Sequence, residues 1–136
     1  MINDVKPYHI CIIEDNPGDV LLIEEYLGEQ IALPTLYYAR SFKEARLLFE
    51  NNHRRFDVIL LDLSLPDKKG EDLISEIQLL ADKAPIVVLT GQTDFEVGIR
   101  SLALGVSDYL LKDDITPTSL YKSIVYSIER NKAVEA

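Results

Sequence analysis

Five short apolar runs punctuate the chain, and amphipathic stretches separate them. Val58-Ile59-Leu60-Leu61 has no polar interruption. A run of that kind reads as a strand covered on both faces, as at the centre of a parallel sheet. Pro85 to Thr90 (Pro-Ile-Val-Val-Leu-Thr) has the same character. Tyr8 to Ile13 is a shorter β-branched run, Thr35 to Ala39 a weaker strand, and Ser107 to Leu111 a fifth. With its flanks, the central run extends from Phe56 to Asp62.

Between these runs, apolar residues recur at helical spacing. Val20, Ile23 and Leu27 mark a first stripe; Phe42, Ala45, Leu48 and Phe49 a second; Leu73, Ile74, Ile77 and Leu80 a third. Phe95, Ile99, Leu102 and Ala103 form a fourth, and Leu120, Ile124 and Ile128 a fifth. Each predicts a helix with that stripe turned to the core. Asn16 is a good N-cap with Pro17 at the first helical position, and Gly28 lies near the end of that helix. Ser41 with Glu44, and Thr93 with Glu96, have capping-box spacing. The second helix ends around Asn51-Asn52, Gly105 is placed to end the fourth, and Thr116-Pro117 open a last helix running to about Asn131. Five strand–helix units in alternation predict a three-layer α/β domain, doubly wound around a five-stranded parallel sheet.

Composition fits one domain over residues 1–136, with a core from about 8 to 131. Hydrophobic residues make up 47%, which excludes a disordered chain. No apolar run reaches the roughly 18 residues a membrane span needs, and the N-terminus lacks the apolar segment of a secretory signal. Cys11, the one cysteine, sits in an apolar run and reads as a buried, inert thiol, in keeping with a reducing cytoplasm. A formal net charge of -9 argues against binding nucleic acid through phosphate contacts and favours metal ions or basic partner surfaces.

The chemistry lies where the strands end. Glu14-Asp15 follow the first strand, Asp62 ends the third, Thr90 the fourth, and Lys112 follows the fifth. In a parallel sheet these carboxyl ends share one edge, where open α/β sheets bind ligands. Taken singly, each has a plainer reading. Asp62 could cap a turn, Glu14-Asp15 could lead into a helix N-terminus, Thr90 could be an ordinary β-branched strand residue, and Lys112 a solvated lysine. Together they make an oxygen-rich set suited to Mg²⁺, with a hydroxyl and an ammonium to receive an anion. That set suits phosphoryl transfer to a carboxylate.

With these residues in place, the chain resembles the receiver domains of two-component response regulators over about residues 8 to 131. The resemblance rests on Glu14-Asp15 as the acidic pair, Asp62 as phosphoacceptor, Pro66 and Gly70 after it, Thr90 with small Gly91, and Tyr109 three before Lys112. It implies a flavodoxin-like fold with strand order 2-1-3-4-5, the order of the chemotaxis member of that family. It implies that Asp62 accepts a phosphoryl group from a phosphohistidine on a sensor histidine kinase or histidine phosphotransfer protein. It implies Mg²⁺ held by Asp15, Asp62 and the Ser64 backbone carbonyl, with Glu14 acting through water. Lys112 and Thr90 then contact the phosphoryl oxygens, and Thr90 and Tyr109 form a switch that repacks the face of the fourth helix, fifth strand and fifth helix toward a downstream protein target. It also implies that Ser64 and Gln92, flanking the site, tune the phosphate lifetime.

Two features are unusual. Asp113 stands where the family often has a proline in a cis peptide, and Glu14 to Ile23 is similar to a subgroup of small stand-alone receivers, some serving phytochrome-type kinases. As a whole natural chain this would be a single-domain receiver; as a piece, an output module could follow Ala136. Tyr121, Val125 and Tyr126 on the last helix read as a homodimer face or as second-row core. Three rivals stand beside this reading: a degenerate receiver acting as a fixed interaction module, an Asp-nucleophile phosphatase, and a nucleotide or flavin binder. The phosphatase would need a second Asp where Ser64 stands, and the chain has no glycine-rich phosphate-binding motif.

Overall fold

The apolar runs assemble into one parallel sheet. The computed structural model describes residues 4–51 and 55–135. Asn52, expected at the end of the second helix, and Ala136 lie outside the described residues. In chain order the elements are β1 (His9–Ile13), α1 (Pro17–Gln30), β2 (Thr35–Ala39), α2 (Phe42–Asn51), β3 (Val58–Asp62) and α3 (Gly70–Leu80). There follow β4 (Ile86–Thr90), a 3₁₀ turn (Gln92–Asp94), α4 (Phe95–Ala103), β5 (Asp108–Leu111) and α5 (Pro117–Glu135). The sheet order is β2-β1-β3-β4-β5, and every pairing is parallel.

Successive residues of a strand point to opposite faces, so the buried strands divide one core into two layers. Cys11, Ile13, Ile59, Leu61 and Val88 pack with Phe42 and Ala45 of α2 and Leu73 and Ile77 of α3. Ile10, Ile12, Val58, Leu60, Val87 and Leu89 pack with Ile23 and Leu27 of α1 and Leu120 and Ile124 of α5. Burial pushes the Cys11 thiol up to about 12, which keeps it protonated and unreactive.

Caps fix the helix starts, with some departures from expectation. Asn16 Oδ1 accepts the N–H groups of Gly18 and Asp19 at 2.8 and 3.1 Å, and Pro17 opens α1. Gly28 lies near the end of that helix, as expected, two residues before its last residue Gln30. At α2, Ser41 Oγ accepts the Glu44 N–H at 3.1 Å, but the Glu44 carboxylate accepts from the Arg40 N–H at 3.0 Å, so the box closes one residue early. Thr93 and Glu96 form no cap. A 3₁₀ turn precedes α4, whose N-cap Asp94 makes no side-chain capping bond. At α5, Thr116 Oγ1 accepts the Ser119 N–H at 3.0 Å while Ser119 Oγ accepts the Thr116 N–H at 2.9 Å. That helix continues to Glu135, one turn beyond the expected end.

The expected core face of α4 is turned outward. Phe95, Ile99 and Leu102 are 40%, 44% and 44% exposed, while Gly98 and Ser101 are buried. The apolar stripe is real, but the helix sits on the sheet through its smallest residues, with Val97 beside them. Periodicity shows a stripe; the space beside β4 and β5 decides which side of the helix fits. The residues considered for a dimer face divide. Tyr121 packs against the core and donates its hydroxyl to Asp4 at 2.7 Å, Val125 is half-buried, and Tyr126 is 60% exposed. Among the described residues no helix is long and apolar enough to cross a membrane.

Candidate functional site

The shared register of β1, β3 and β4 brings three strand ends to one edge. Ile13 pairs with Leu61, and Asp62 with Leu89, so Glu14, Asp62 and Thr90 lie at successive strand ends. Glu14 and Asp62 are 2% and 4% exposed, whereas Asp15 is open to solvent. One carboxylate oxygen from each of Glu14, Asp15 and Asp62 lies within 4.8 Å of the others. Three hard oxygen donors this close, one of them facing solvent, fit a divalent cation that keeps part of its water shell.

Lys112 closes the site from the far edge. Its N–H donates to the Thr90 carbonyl at 2.8 Å, which extends the β4–β5 ladder and sets the side chain over the strand ends. Its ammonium lies 2.6 Å from Glu14 Oε1, 2.9 Å from Asp19 Oδ2 and 3.3 Å from Asp62 Oδ1. Burial pulls the Lys112 pKa down, but the close ion-pair contact with Glu14, the hydrogen bond to Asp19 and the charge of Asp62 outweigh it and raise it. Burial, together with neighbouring Asp62, pushes Glu14 up to about 8 against the pull of Lys112.

Thr90 is fully buried, and its hydroxyl has no hydrogen-bond partner among the described residues. A buried hydroxyl in that condition costs about 1–3 kcal/mol, which an oxyanion ligand at the strand ends would relieve. Tyr109 on β5 is half-buried, with its ring 6.3 Å from Phe95 in an edge-on arrangement. The loop after Asp62 is anchored by buried Leu63 and Leu65, with exposed Ser64 bridged to Lys69. Gly70 ends the loop at φ +63, a conformation that favours glycine. Pro66, Gln92 and Asp113 are exposed, Gly91 is half-buried, and the Lys112–Asp113 peptide is trans.

The structure therefore brings Glu14, Asp15, Asp62 and Lys112 together, with Thr90 one step beyond the Asp62 pairing position. Three participants were not foreseen. Asp19 contacts Lys112; its signal was its place in the first turn of α1, one turn after Asp15. Asp67 accepts the N–H groups of Phe42 and Lys43 at 2.8 and 3.0 Å, tying the loop to the start of α2. Gly98 faces Thr90 and Tyr109 directly.

The response regulator receiver domain model matches residues 10–125. The chain belongs to this family. Among solved structures, the receiver superposes on a response regulator receiver domain protein from Clostridium thermocellum with a TM-score of 0.80 and 26% identity, covering 93% of this chain and 98% of the other. It also superposes on the receiver domain of a sensor histidine kinase from Pseudomonas aeruginosa, described with a magnesium ion coordinated in its active-site cleft. That match has a TM-score of 0.73 and 27% identity, over 91% and 99% of the two chains. The transcriptional regulatory protein MalR of Bacillus subtilis is 30% identical over 130 residues, 90% of this chain and 54% of its own length. The cell cycle response regulator CtrA of Brucella abortus is 40% identical over 57 residues, 42% of this chain and 25% of its own. The receiver thus spans about half or less of these two relatives.

Proposed function

We propose that this receiver accepts a phosphoryl group on Asp62 from a phosphohistidine of a sensor histidine kinase or histidine phosphotransfer protein, in the cytoplasm, and passes the signal to a protein target. The observation that carries this is the meeting of Asp62, two further carboxylates and Lys112 at one sheet edge, beside a buried, unpartnered Thr90 hydroxyl. In the transfer, an Asp62 carboxylate oxygen attacks phosphorus. The phosphorus–nitrogen bond breaks, and its electron pair returns to the imidazole. Lys112 and Thr90 take the phosphoryl oxygens, matching an anion with an ammonium and a hydroxyl. Hydrolysis reverses the covalent state: water attacks phosphorus and the Asp62 carboxylate leaves.

Asp15 and Asp62, with the Ser64 carbonyl, would hold Mg²⁺ directly, and Glu14 through water. That ion supplies positive charge to offset the carboxylates and the transferred group. Movement of Thr90 toward the phosphoryl group leaves space for Tyr109 to turn inward, repacking the α4–β5–α5 face, whose exposed Phe95, Ile99 and Leu102 suit an apolar protein partner.

Intact mass after incubation with acetyl phosphate tests this reading. The expected result is a gain of one phosphoryl group that requires Mg²⁺ and is absent in Asp62→Asn. Labelling of Asp62→Asn at the wild-type level would overturn it.

A further inference from the structure

One carboxylate of the site comes from a helix, not a strand end. Asn16 caps α1 and Pro17 starts it, so Asp19 is the third helical residue, its own N–H held by Asn16 Oδ1 at 3.1 Å. That geometry aims the carboxylate across the strand ends at a lysine 93 positions away. Lys112 and Asp19 line a small cavity together with Leu22, Ile23, Leu89 and Ile115.

Three carboxyl groups surround this ammonium, and the acceptor is the most distant. Glu14 and Asp19 stand at 2.6 and 2.9 Å, Asp62 at 3.3 Å. An ammonium has three protons to donate, and here its shorter contacts lie on the β1–α1 side. A phosphoryl oxygen on Asp62 must draw Lys112 toward itself. Glu14 is 2% exposed and enclosed in the carboxylate cluster, whereas the Asp19 side chain is 35% exposed and can be solvated once released. Asp19 is the partner that Lys112 can leave at least cost.

Resting on the phosphoacceptor reading above, we propose that Asp19 is a positioning residue that holds Lys112 away from Asp62 in the unphosphorylated receiver, so that an arriving phosphoryl group has to take Lys112 from it. Asp19 sets how readily Asp62 is phosphorylated and how long the group survives. Removing its charge leaves Lys112 to Glu14 and Asp62 and removes one anion facing an incoming dianion.

The test compares wild type, Asp19→Asn and Asp19→Glu at saturating Mg²⁺. Phosphorylation by acetyl phosphate and the subsequent decay are followed by intact mass, and the Lys112 side-chain ammonium by ¹⁵N NMR. In Asp19→Asn, phosphorylation is faster and decay slower by about two- to fivefold, the span expected of a partly exposed ion pair. The Lys112 ammonium resonance shifts in the resting state but not in the phosphorylated state. Asp19→Glu restores behaviour toward wild type. Unchanged or slower phosphorylation in Asp19→Asn overturns the proposal. So does a change confined to Mg²⁺ affinity, which would assign Asp19 to the metal instead. Wild type that takes no phosphoryl group under any condition is a failure of the phosphoacceptor reading; the resting-state NMR comparison then still decides whether Asp19 positions Lys112.

Discussion

Gly98 of α4 lies so close to Thr90 that a β-carbon on it would stand 3.0 Å from the Thr90 methyl, and 3.2 Å from the Tyr109 ring. Glycine inside a helix costs about 1 kcal/mol relative to alanine, so helix stability does not account for it. Close approach does. Through Gly98, α4 rests directly on the two residues expected to move.

Gly98→Ala is therefore expected to leave Asp62 phosphorylation intact while weakening the response of α4. The new methyl presses on both the Thr90 methyl and the Tyr109 ring and so hinders their rearrangement. Gly98→Val adds overpacking worth about 1–3 kcal/mol and lowers the unfolding midpoint as well. Hydrogen exchange of α4 amides and the Tyr109 ring resonances, with and without acetyl phosphate, check this. A wild-type response of α4 in Gly98→Ala would show that the close contact transmits nothing.

Stability in the absence of metal should fall as pH rises. Burial, assisted by neighbouring Asp62, lifts Glu14 from an ordinary 4.5 to about 8. Between those values the unfolded chain has released this proton and the folded chain retains it, so the folded state loses ground across that window. Glu14→Gln flattens the decline. Mg²⁺ favours the ionised carboxyl, so its addition stabilises the wild type most at the upper end of the window and stabilises Glu14→Gln less. Thermal melts across about pH 4.5 to 8, with Mg²⁺ and with chelator, measure both slopes. Parallel slopes for the two proteins would show that Glu14 does not titrate in this way.

Asp67 caps a helix that is not its own. Desolvation pushes its carboxyl up, but the N–H groups of Phe42 and Lys43 outweigh that and hold it below its ordinary value. Asp67→Ala is expected to cost about 0.5–2 kcal/mol in urea unfolding near neutral pH, the range for a lost cap. A lowered carboxyl contributes stability above the unfolded value near 3.8 and loses it as pH falls through the lower folded value. The gap between wild type and Asp67→Ala should close in that acidic range. A gap independent of pH would assign the effect to packing.

The sequence by itself determined the elements and where their polar residues stand along the chain. Val58 to Leu61 and Ile86 to Leu89 carry no polar residue, so as strands they are covered on both faces, and their alternation with helices makes that a parallel sheet between helix layers. Once the strands are parallel, Glu14, Asp62, Thr90 and Lys112 must share an edge, because each stands at or just after the carboxyl end of its strand. Local signals also fixed the start of α1 through Asn16 and Pro17, and of α5 through Thr116 and Pro117.

Only the tertiary structure decided the rest. The α4 stripe of Phe95, Ile99 and Leu102 was legible, but its exposure depends on how near β4 and Tyr109 let the helix come, and Gly98 and Ser101 answer that. The Ser41–Glu44 spacing was legible, but the first N–H groups of α2 go to Asp67, some 25 positions away. The Asp19–Lys112 contact joins residues 93 apart. Periodicity and capping motifs act within a turn or two of chain. These three contacts are set by which surfaces the packed sheet brings within hydrogen-bond or van der Waals reach, and that is a property of the folded whole.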